Sequence, residues 1–354
     1  MDNHHDISPG ANKKLEHLLE VCDSPGRTLI LTQDSPDPDA LASAAALKEL
    51  LRVKLRKKAD IGYGGTFSRA ENRAMVSLLR IKAGHVDPAR VDDYELVCLV
   101  DTQPCSGINP LPPSRQADVV IDHHRLPVRR SWSARHADVR PGYGASTSIL
   151  YEYVEAAGLP LGSDLATAMF YGIQSDTQDL GRESSPADIH AYRELFLIAD
   201  KKKLAKIHRA PVTAEYFRTL SESLANVVVA GTTVVSCVQL CHSAEMIAEV
   251  ADLLLRLEGM TAAVCYGVCG DKIYLSVRTS APAGNAAVKM LRVIRGIGTG
   301  GGHRTMAGGQ VPLGDDPEGR LAMVRERLLR VFAPGKPVMR LSPRGQTSPC
   351  LRED

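Results

Sequence analysis

Thr28-Leu29-Ile30-Leu31-Thr32-Gln33-Asp34-Ser35-Pro36-Asp37-Pro38-Asp39-Ala40-Leu41 decides how the chain is read. Its first five residues form a short apolar run of the kind that makes a buried strand. From residue 41 to 51 the period changes, and Leu41, Ala44, Leu47 and Leu51 share one stripe of a helix. Between strand and helix lie Asp37 and Asp39, placed where a carboxylate caps free backbone N–H groups. A strand that ends in an acidic loop and passes into a helix is the first half of a βαβ unit. The pattern returns downstream. Residues 95–100 and 118–121 read as strands, each an apolar run led by one acidic residue (Glu95, Asp118), and residues 146–156, 165–174 and 188–199 read as helices. Strands alternating with helices imply right-handed crossovers and a parallel sheet. Ligands of such sheets bind beyond the carboxyl ends of the strands.

The second half has a different texture. Residues 226–240 are rich in Val and Thr and read as a strand pair about Gly231. Residues 244–257 form an amphipathic helix, and 261–269 with 272–278 a hairpin turning at Gly270-Asp271. A helix over 285–294, a glycine-rich loop, a strand at Gln310-Val311 and a last helix over 317–332 follow. The expected fold is therefore α/β. An N-terminal parallel-sheet domain over 1–200 passes through a helical linker over 201–225 to a smaller α+β domain with a mixed sheet over 226–333. A polar, proline-containing tail over 334–354 is expected to be loose.

Composition bounds the function. The chain has 354 residues, 44% hydrophobic and 24% charged, the balance of a globular protein with a real core. A net charge of +2 argues against coating long nucleic acid or a membrane by bulk charge. Trp132 is the only tryptophan, and aromatic residues make up 5%, too few for a platform that stacks the bases of a long single strand. The opening Met1-Asp2-Asn3-His4-His5-Asp6 is no secretory leader, and no apolar run reaches 18 residues. A cytoplasmic protein without a membrane span is expected, with its eight cysteines reduced. Cys237, Cys241, Cys265 and Cys269 stand in pairs with three intervening residues, not the two of a zinc knuckle, and are read as small apolar side chains.

The chemistry-bearing residues sit at strand ends. Asp101-Thr102 follows the strand at 95–100. Asp122-His123-His124-Arg125 follows the strand at 118–121, and Ser175-Asp176-Thr177 follows the helix at 165–174. A carboxylate beside two imidazoles supplies oxygen and nitrogen ligands for Mn²⁺, Zn²⁺ or Fe²⁺. If Asp37, Asp39, Asp101, Asp122 and Asp176 converge above one sheet, their mutual repulsion demands a cation. Two divalent ions about 3.5–4 Å apart would meet that demand and create a nucleophile suited to phosphate esters.

The set Asp37-x-Asp39, Asp101, Asp122-His123-His124 and Asp176 resembles the DHH phosphoesterase superfamily, which includes RecJ-type exonucleases and nanoRNA or pAp phosphatases. In the second half, Gly300-Gly301-Gly302-His303-Arg304 with Ala307-Gly308-Gly309, preceded by Ser276-Val277-Arg278-Thr279-Ser280, is similar to the DHH-associated C-terminal domain. The resemblance implies two metal sites, with Mn²⁺ the expected ion and Mg²⁺ the alternative. One site would take the first-motif residue, here Gln33, with Asp37 and Asp101. The other would take Asp39, a bridging Asp101, His123 and Asp176. His124 would face the scissile phosphate, Asp122 would orient the histidine pair, and a hydroxide between the ions would attack phosphorus. Arg278, Gly300, Gly301, Gly302, His303 and Arg304 would bind substrate, clamped between the domains. The implied substrates are short oligonucleotides, linear dinucleotides or 3′-phosphorylated nucleotides, not long duplex DNA. A homodimer is left open.

Two departures matter. The family's first-motif histidine is Gln33 here, and an amide oxygen is a neutral, weaker ligand than imidazole for Mn²⁺. After Asp176, where relatives carry a Gly and a Phe, this chain has Gln178-Asp179-Leu180-Gly181. The alternative reading is therefore a catalytically weak or inactive relative that binds nucleotides as a regulatory module.

Overall fold

The computed structural model describes residues 10–66, 69–125, 132–182, 184–238, 241, 243–280, 284–302, 304–341 and, as backbone, 347–349. The chain divides into two compact units, Met1–Pro211 and Val212–Asp354.

The first unit runs α1 (Ala11–Cys22), β1 (Thr28–Leu31), α2 (Pro38–Leu55), β2 (Ala59–Tyr63), α3 (Ala70–Leu78), β3 (Ala83–His85), β4 (Leu96–Val100), β5 (Val119–Asp122), β6 (His136–Val139), α4 (Ser146–Ala156), α5 (Ser163–Asp176), α6 (Pro186–Ile198) and α7 (Lys201–His208). Its six strands form one parallel sheet in the order β3-β2-β1-β4-β5-β6. Every residue of β1, β4 and β5 is buried, because both faces of the sheet are covered. Alternation then sorts the side chains. Ile30, Cys98, Val100, Val119 and Ile121 join the large core under the helices. Leu29, Leu31, Val97, Leu99 and Val120 join a smaller core on the other face.

The expected strands at 28–32, 95–100 and 118–121 are the three central ones. The flanking strands β2, β3 and β6 carry Asp60, Gly62, Gly84 and Asp138, which break up the apolar runs by which strands are recognised. The order reverses between β1 and β4, which makes the crevice beyond their carboxyl ends the place where an open α/β sheet binds its ligand. Three helices meet there with little space. A Cβ at Gly172 in α5 would lie 3.0 Å from Ala42 in α2 and 3.0 Å from Thr147 Oγ1 in α4, so glycine permits the approach.

The second unit runs α8 (Ala214–Ala225), β7 (Val228–Ala230), β8 (Thr233–Cys237), α9 (Ala244–Leu254), β9 (Ala262–Cys269), β10 (Lys272–Thr279), α10 (Ala286–Ile294), β11 (Thr299–Gly302), β12 (Met306–Pro312), α11 (Pro317–Phe332), β13 (Met339–Leu341) and β14 (Thr347–Pro349). One eight-stranded sheet has the order β11-β12-β10-β9-β8-β7-β13-β14. The β8–β9 pair is parallel and its other pairs are antiparallel, so the sheet is mixed. The protein is thus the α/β chain expected, with a parallel sheet followed by a mixed one.

The helices α7 and α8 occupy the stretch read as a helical linker, and the division falls between them at Pro211. Two details differ from the reading of the sequence. Part of the stretch read as a loose tail is structured, since β13 adds to the sheet with Met339 opposite Val229. The glycine-rich stretch read as a loop is strand β11, with Gly300 opposite Gly309 and Gly301 opposite Gly308. Its glycines serve close pairing. A Cβ at Gly300 would fall 2.4 Å from the Gly308 carbonyl oxygen and 2.8 Å from Ile294 Cδ1, whereas one at Gly301 would meet nothing within 4 Å.

Candidate metal centre

Sheet geometry assembles the acidic residues. Asp101 follows β4 directly, and its backbone N–H donates to the Ile121 carbonyl of the neighbouring strand at 3.0 Å. Its φ is +58°, a left-handed conformation that aspartate tolerates better than most residues. Asp122 closes β5, so His123 and His124 emerge beside Asp101. Asp39 lies in the first turn of α2, and Asp176 is the last residue of α5.

Around His123 Nε2 stand Asp176 Oδ2 at 3.1 Å, Asp101 Oδ1 at 3.5 Å and Asp39 Oδ2 at 4.0 Å. His123 Nδ1 lies 3.1 Å from the Tyr143 carbonyl oxygen, which can only accept, so the Nδ1 proton is fixed and Nε2 turns toward the carboxylates. Yet among the described residues Nε2 has no hydrogen-bond partner, and neither has Asp101 Oδ2, although both atoms are buried. Buried polar atoms are nearly always paired. A lone pair of His123 facing lone pairs of three carboxylates calls for a positive charge among them.

The surrounding groups hold this arrangement. Helix α4 has no side-chain cap of its own. Its first N–H groups, at Ser146 and Thr147, donate to Asp39 Oδ2 and Oδ1 at 2.7 and 2.8 Å, so the Asp39 carboxylate caps the helix from outside. Ser146 Oγ donates to Asp101 Oδ1 at 2.9 Å. Asp122 Oδ1 accepts the His123 N–H and lies 2.8 Å from His124 Nδ1, while Asp122 Oδ2 accepts from Gln103 Nε2 at 2.6 Å. Arg182 reaches the Asp176 carbonyl at 2.6 Å and its Oδ1 at 3.4 Å.

The electrostatics carry the same signature. Burial and the Asp176 charge push Asp39 up to about 6. Burial, with Asp39 and Asp37 beside it, raises Asp101 well above the carboxylate range. Burial disfavours the charged form of His123, but Asp176, Asp39 and Asp122 outweigh it and raise the imidazole to about 10. Burial also opposes ionisation of Asp122, and the His124 contact overcomes it, lowering the acid and raising the histidine. The cluster holds protons where it lacks another cation.

Among the described residues, two groups have ligand atoms all within 4.8 Å of one another: Asp39-His123-Asp176 and Asp101-His123-His124. Three carboxylates and an imidazole fit an oxygen-preferring divalent cation. The residues expected at a first metal site do not fit as well. Asp37 is the N-cap of α2, with Oδ1 accepting from Ala40 N at 2.9 Å, and its Oδ2 accepts from Gln33 Nε2 at 3.2 Å. Gln33 thus presents a donor where a histidine would present a lone pair.

The structure adds Gln103, Tyr143, Ser146, Thr147 and Arg182, which the sequence reading did not single out. Ser146 and Thr147 leave one signal, a Gly144-Ala145-Ser146-Thr147 helix start without its own cap. In the second unit, Arg278 Nε donates to Asp252 Oδ1 and Arg278 Nη1 to Ser276 Oγ. Gly300, Gly301 and Gly302 line the edge strand β11, and Arg304 is exposed in the turn after it. His303 lies outside the described residues.

Fold and centre together define a two-unit α/β protein that gathers carboxylates and one imidazole into a candidate metal centre at the switch point of a parallel sheet. A model of the DHH family N-terminal domain matches residues 27–173, and a model of the DHHA1 domain matches residues 231–331. The chain belongs to the DHH superfamily and carries a C-terminal DHHA1 domain. It is 35% identical over 302 residues to the uncharacterized protein MJ1633 of Methanocaldococcus jannaschii, a match that takes in 85% of this chain and 61% of that protein. The chain thus spans about three fifths of the length of that relative. Two solved structures share the fold. An exopolyphosphatase-related protein from Bacteroides fragilis superposes with a TM-score of 0.70 at 15% identity, over 90% of this chain and 96% of that one. RecJ in complex with Mn²⁺ from Thermus thermophilus superposes with a TM-score of 0.56 at 17% identity, over 92% of this chain and 56% of that one. DHH superfamily members are phosphoesterases or hydrolases. No helix among the described residues is long and apolar enough to cross a membrane.

Proposed function

We propose that the chain is a divalent-metal-dependent phosphoesterase acting on short oligonucleotides, linear dinucleotides or 3′-phosphorylated nucleotides such as pAp, with Mn²⁺ as the preferred ion. The observation that carries this reading is the convergence of Asp39, Asp101 and Asp176 on His123 Nε2, which has no hydrogen-bond partner among the described residues. These four residues would hold the ion. A divalent cation there supplies Lewis acidity toward phosphoryl oxygens and makes a bound water more acidic.

The chain's own groups do the rest. Tyr143 keeps the His123 proton on Nδ1, so the ring offers Nε2 as a ligand. Asp122 holds the His124 ring through Nδ1 and favours its protonated form, which suits proton delivery to a leaving oxygen. Arg182, already against Asp176, brings a guanidinium beside the centre, and Arg matches phosphate oxygens well. In the second unit, Gly301 offers open space beside backbone N–H groups and Arg304 an exposed charge, features that suit an anionic ligand.

The test is a substrate panel with Mn²⁺ or Mg²⁺: pAp, pApA, RNA of two to five nucleotides, long DNA and pyrophosphate. Turnover of the first three, abolished by Asp101→Asn, is expected. Activity confined to long DNA or pyrophosphate overturns the substrate assignment.

A second reading, a regulatory nucleotide-binding module, is favoured by the donor that Gln33 turns toward Asp37. Nucleotide binding without turnover on the whole panel would select it.

A further inference from the structure

Behind His123 lies a buried charged cluster that takes no part in holding the cation. Arg140, just past β6, makes a bidentate pair with Asp138, Nε to Oδ1 at 2.8 Å and Nη2 to Oδ2 at 2.6 Å. Its Nη1 donates to Glu152 in α4 and, at 2.9 Å, to the Tyr143 hydroxyl. The Tyr143 hydroxyl in turn donates to Glu152 Oε1 at 2.6 Å, and the Arg140 guanidinium sits 5.0 Å from the ring centre. The side chains of Arg140, Asp138 and Glu152 are 11%, 3% and 9% exposed.

Such a cluster is a poor way to gain stability. Desolvating buried ions costs about as much as their attraction returns, and apolar replacements of similar volume are often neutral or stabilising. Its geometry indicates another use. The segment Arg140-Pro141-Gly142-Tyr143-Gly144-Ala145 contains two glycines and crosses from β6 to α4. Its backbone is tied at Arg140 N to the Asp122 carbonyl and at Gly144 N to Asp188. Between these ties, the Tyr143 phenol is the side-chain anchor, and the same residue's carbonyl faces His123 Nδ1.

We infer that Tyr143 is a positioning residue: Arg140 and Glu152 clamp its hydroxyl so that its backbone carbonyl fixes the ring and the Nδ1 proton of His123. The inference rests on the reading of His123 as a metal ligand, and the experiment separates the two. Tyr143→Phe keeps the ring and the Arg140–Glu152 pair and removes only the clamped hydroxyl. Mn²⁺ affinity is measured by calorimetry, and the hydrogen-bonded His123 Nδ1–H resonance is followed by ¹⁵N-edited proton NMR in the metal-free chain, assigned to the residue by its loss in His123→Asn and to Nδ1 rather than Nε2 by its couplings to the ring carbon-bound protons.

The expected result is a cooperative fold whose melting temperature falls by only a few degrees, an affinity for Mn²⁺ weakened by about 10- to 100-fold, and an Nδ1–H resonance broadened by exchange with solvent. Wild-type affinity with an undisturbed resonance overturns the inference. So does a loss of affinity with the resonance intact, because the hydroxyl would then act by some route other than His123. If the wild-type chain binds no Mn²⁺ at all, the metal reading fails, and the resonance alone still decides whether Tyr143 fixes the ring.

Discussion

Gln33 Nε2 lies 3.2 Å from Asp37 Oδ2 and donates to it, so the residue at the first-motif position occupies one oxygen of the carboxylate it would otherwise join in holding an ion. The other Asp37 oxygen is committed to the start of α2. One tightly bound cation per chain is expected at Asp39, Asp101, His123 and Asp176. Gln33→His replaces the donor with an imidazole lone pair and should add a second bound Mn²⁺, with hydrolysis rising about tenfold or more if that ion limits the rate. Elemental analysis after dialysis gives the stoichiometry. Two ions in the wild-type chain, or no gain in the variant, would count against this account.

Asp101 is buried among like charges, and its Oδ2 has no hydrogen-bond partner among the described residues. Asp101→Asn should therefore behave oppositely in the two states of the protein. Without metal, stability should stay the same or rise, since a strained carboxylate is removed. With metal at 100 times its dissociation constant, the wild-type chain gains about 2.7 kcal/mol by linkage, and the variant should gain almost none. Thermal melts with and without Mn²⁺ check both arms. A variant that is destabilised without metal yet still stabilised by it would place the ion elsewhere.

The legible part of this protein follows from how each residue acts. Asp101 and Asp122-His123-His124 stand after unbroken apolar runs and work through their own side chains, so residue type and position announce them. Tyr143 works through its carbonyl, and Ser146 and Thr147 through their N–H groups, which every residue possesses. Gln103 holds Asp122 from a loop whose path the sequence does not reveal. The edge strand β6 hides for a related reason: His136 and Asp138 belong to a buried polar network and give no apolar alternation. In β11, a run of glycine looks like a flexible turn until β12 and α10 are known to press against it.

That crowding separates two neighbouring glycines. A Cβ at Gly300 would strike the Gly308 carbonyl and Ile294, so Gly300→Ala should cost about 1–3 kcal/mol and loosen the edge of the second sheet. Gly301→Ala has open space and should change stability by less than about 0.5 kcal/mol. If Gly301 lies against a bound anion, its alanine variant should instead raise KM for a nucleotide substrate. Paired denaturation curves and kinetics test this. A stability loss at Gly301 equal to that at Gly300 would mean that β11 is not paired as described.

His136 should make stability fall on the acid side. It is 3% exposed, with Nδ1 3.1 Å from His17 Nδ1 and Nε2 3.1 Å from the Tyr153 hydroxyl, which donates to Asp138 Oδ2 at 2.8 Å. Tyr153 gives its proton to Asp138, so His136 Nε2 donates and Nδ1 must accept from His17. Burial depresses His136 to about 4; Asp138 opposes this, while His17, Lys14 and Arg140 reinforce it. Between about 6.5 and 4 the folded chain therefore binds fewer protons than the unfolded one, and stability declines as pH falls. The full interval corresponds to about 3 kcal/mol, present above 6.5 and lost by about 4. Asp138, held near 2 against its own burial by Arg140 and Lys14, adds its loss only below the ordinary carboxylate range. Urea unfolding of the wild-type chain and of His136→Gln, compared from pH 7 to 4, isolates the effect because every other group titrates in both. The wild-type curve should fall toward that of the variant as pH drops, whereas parallel curves would mean that His136 is protonated as easily in the folded chain as in the unfolded one.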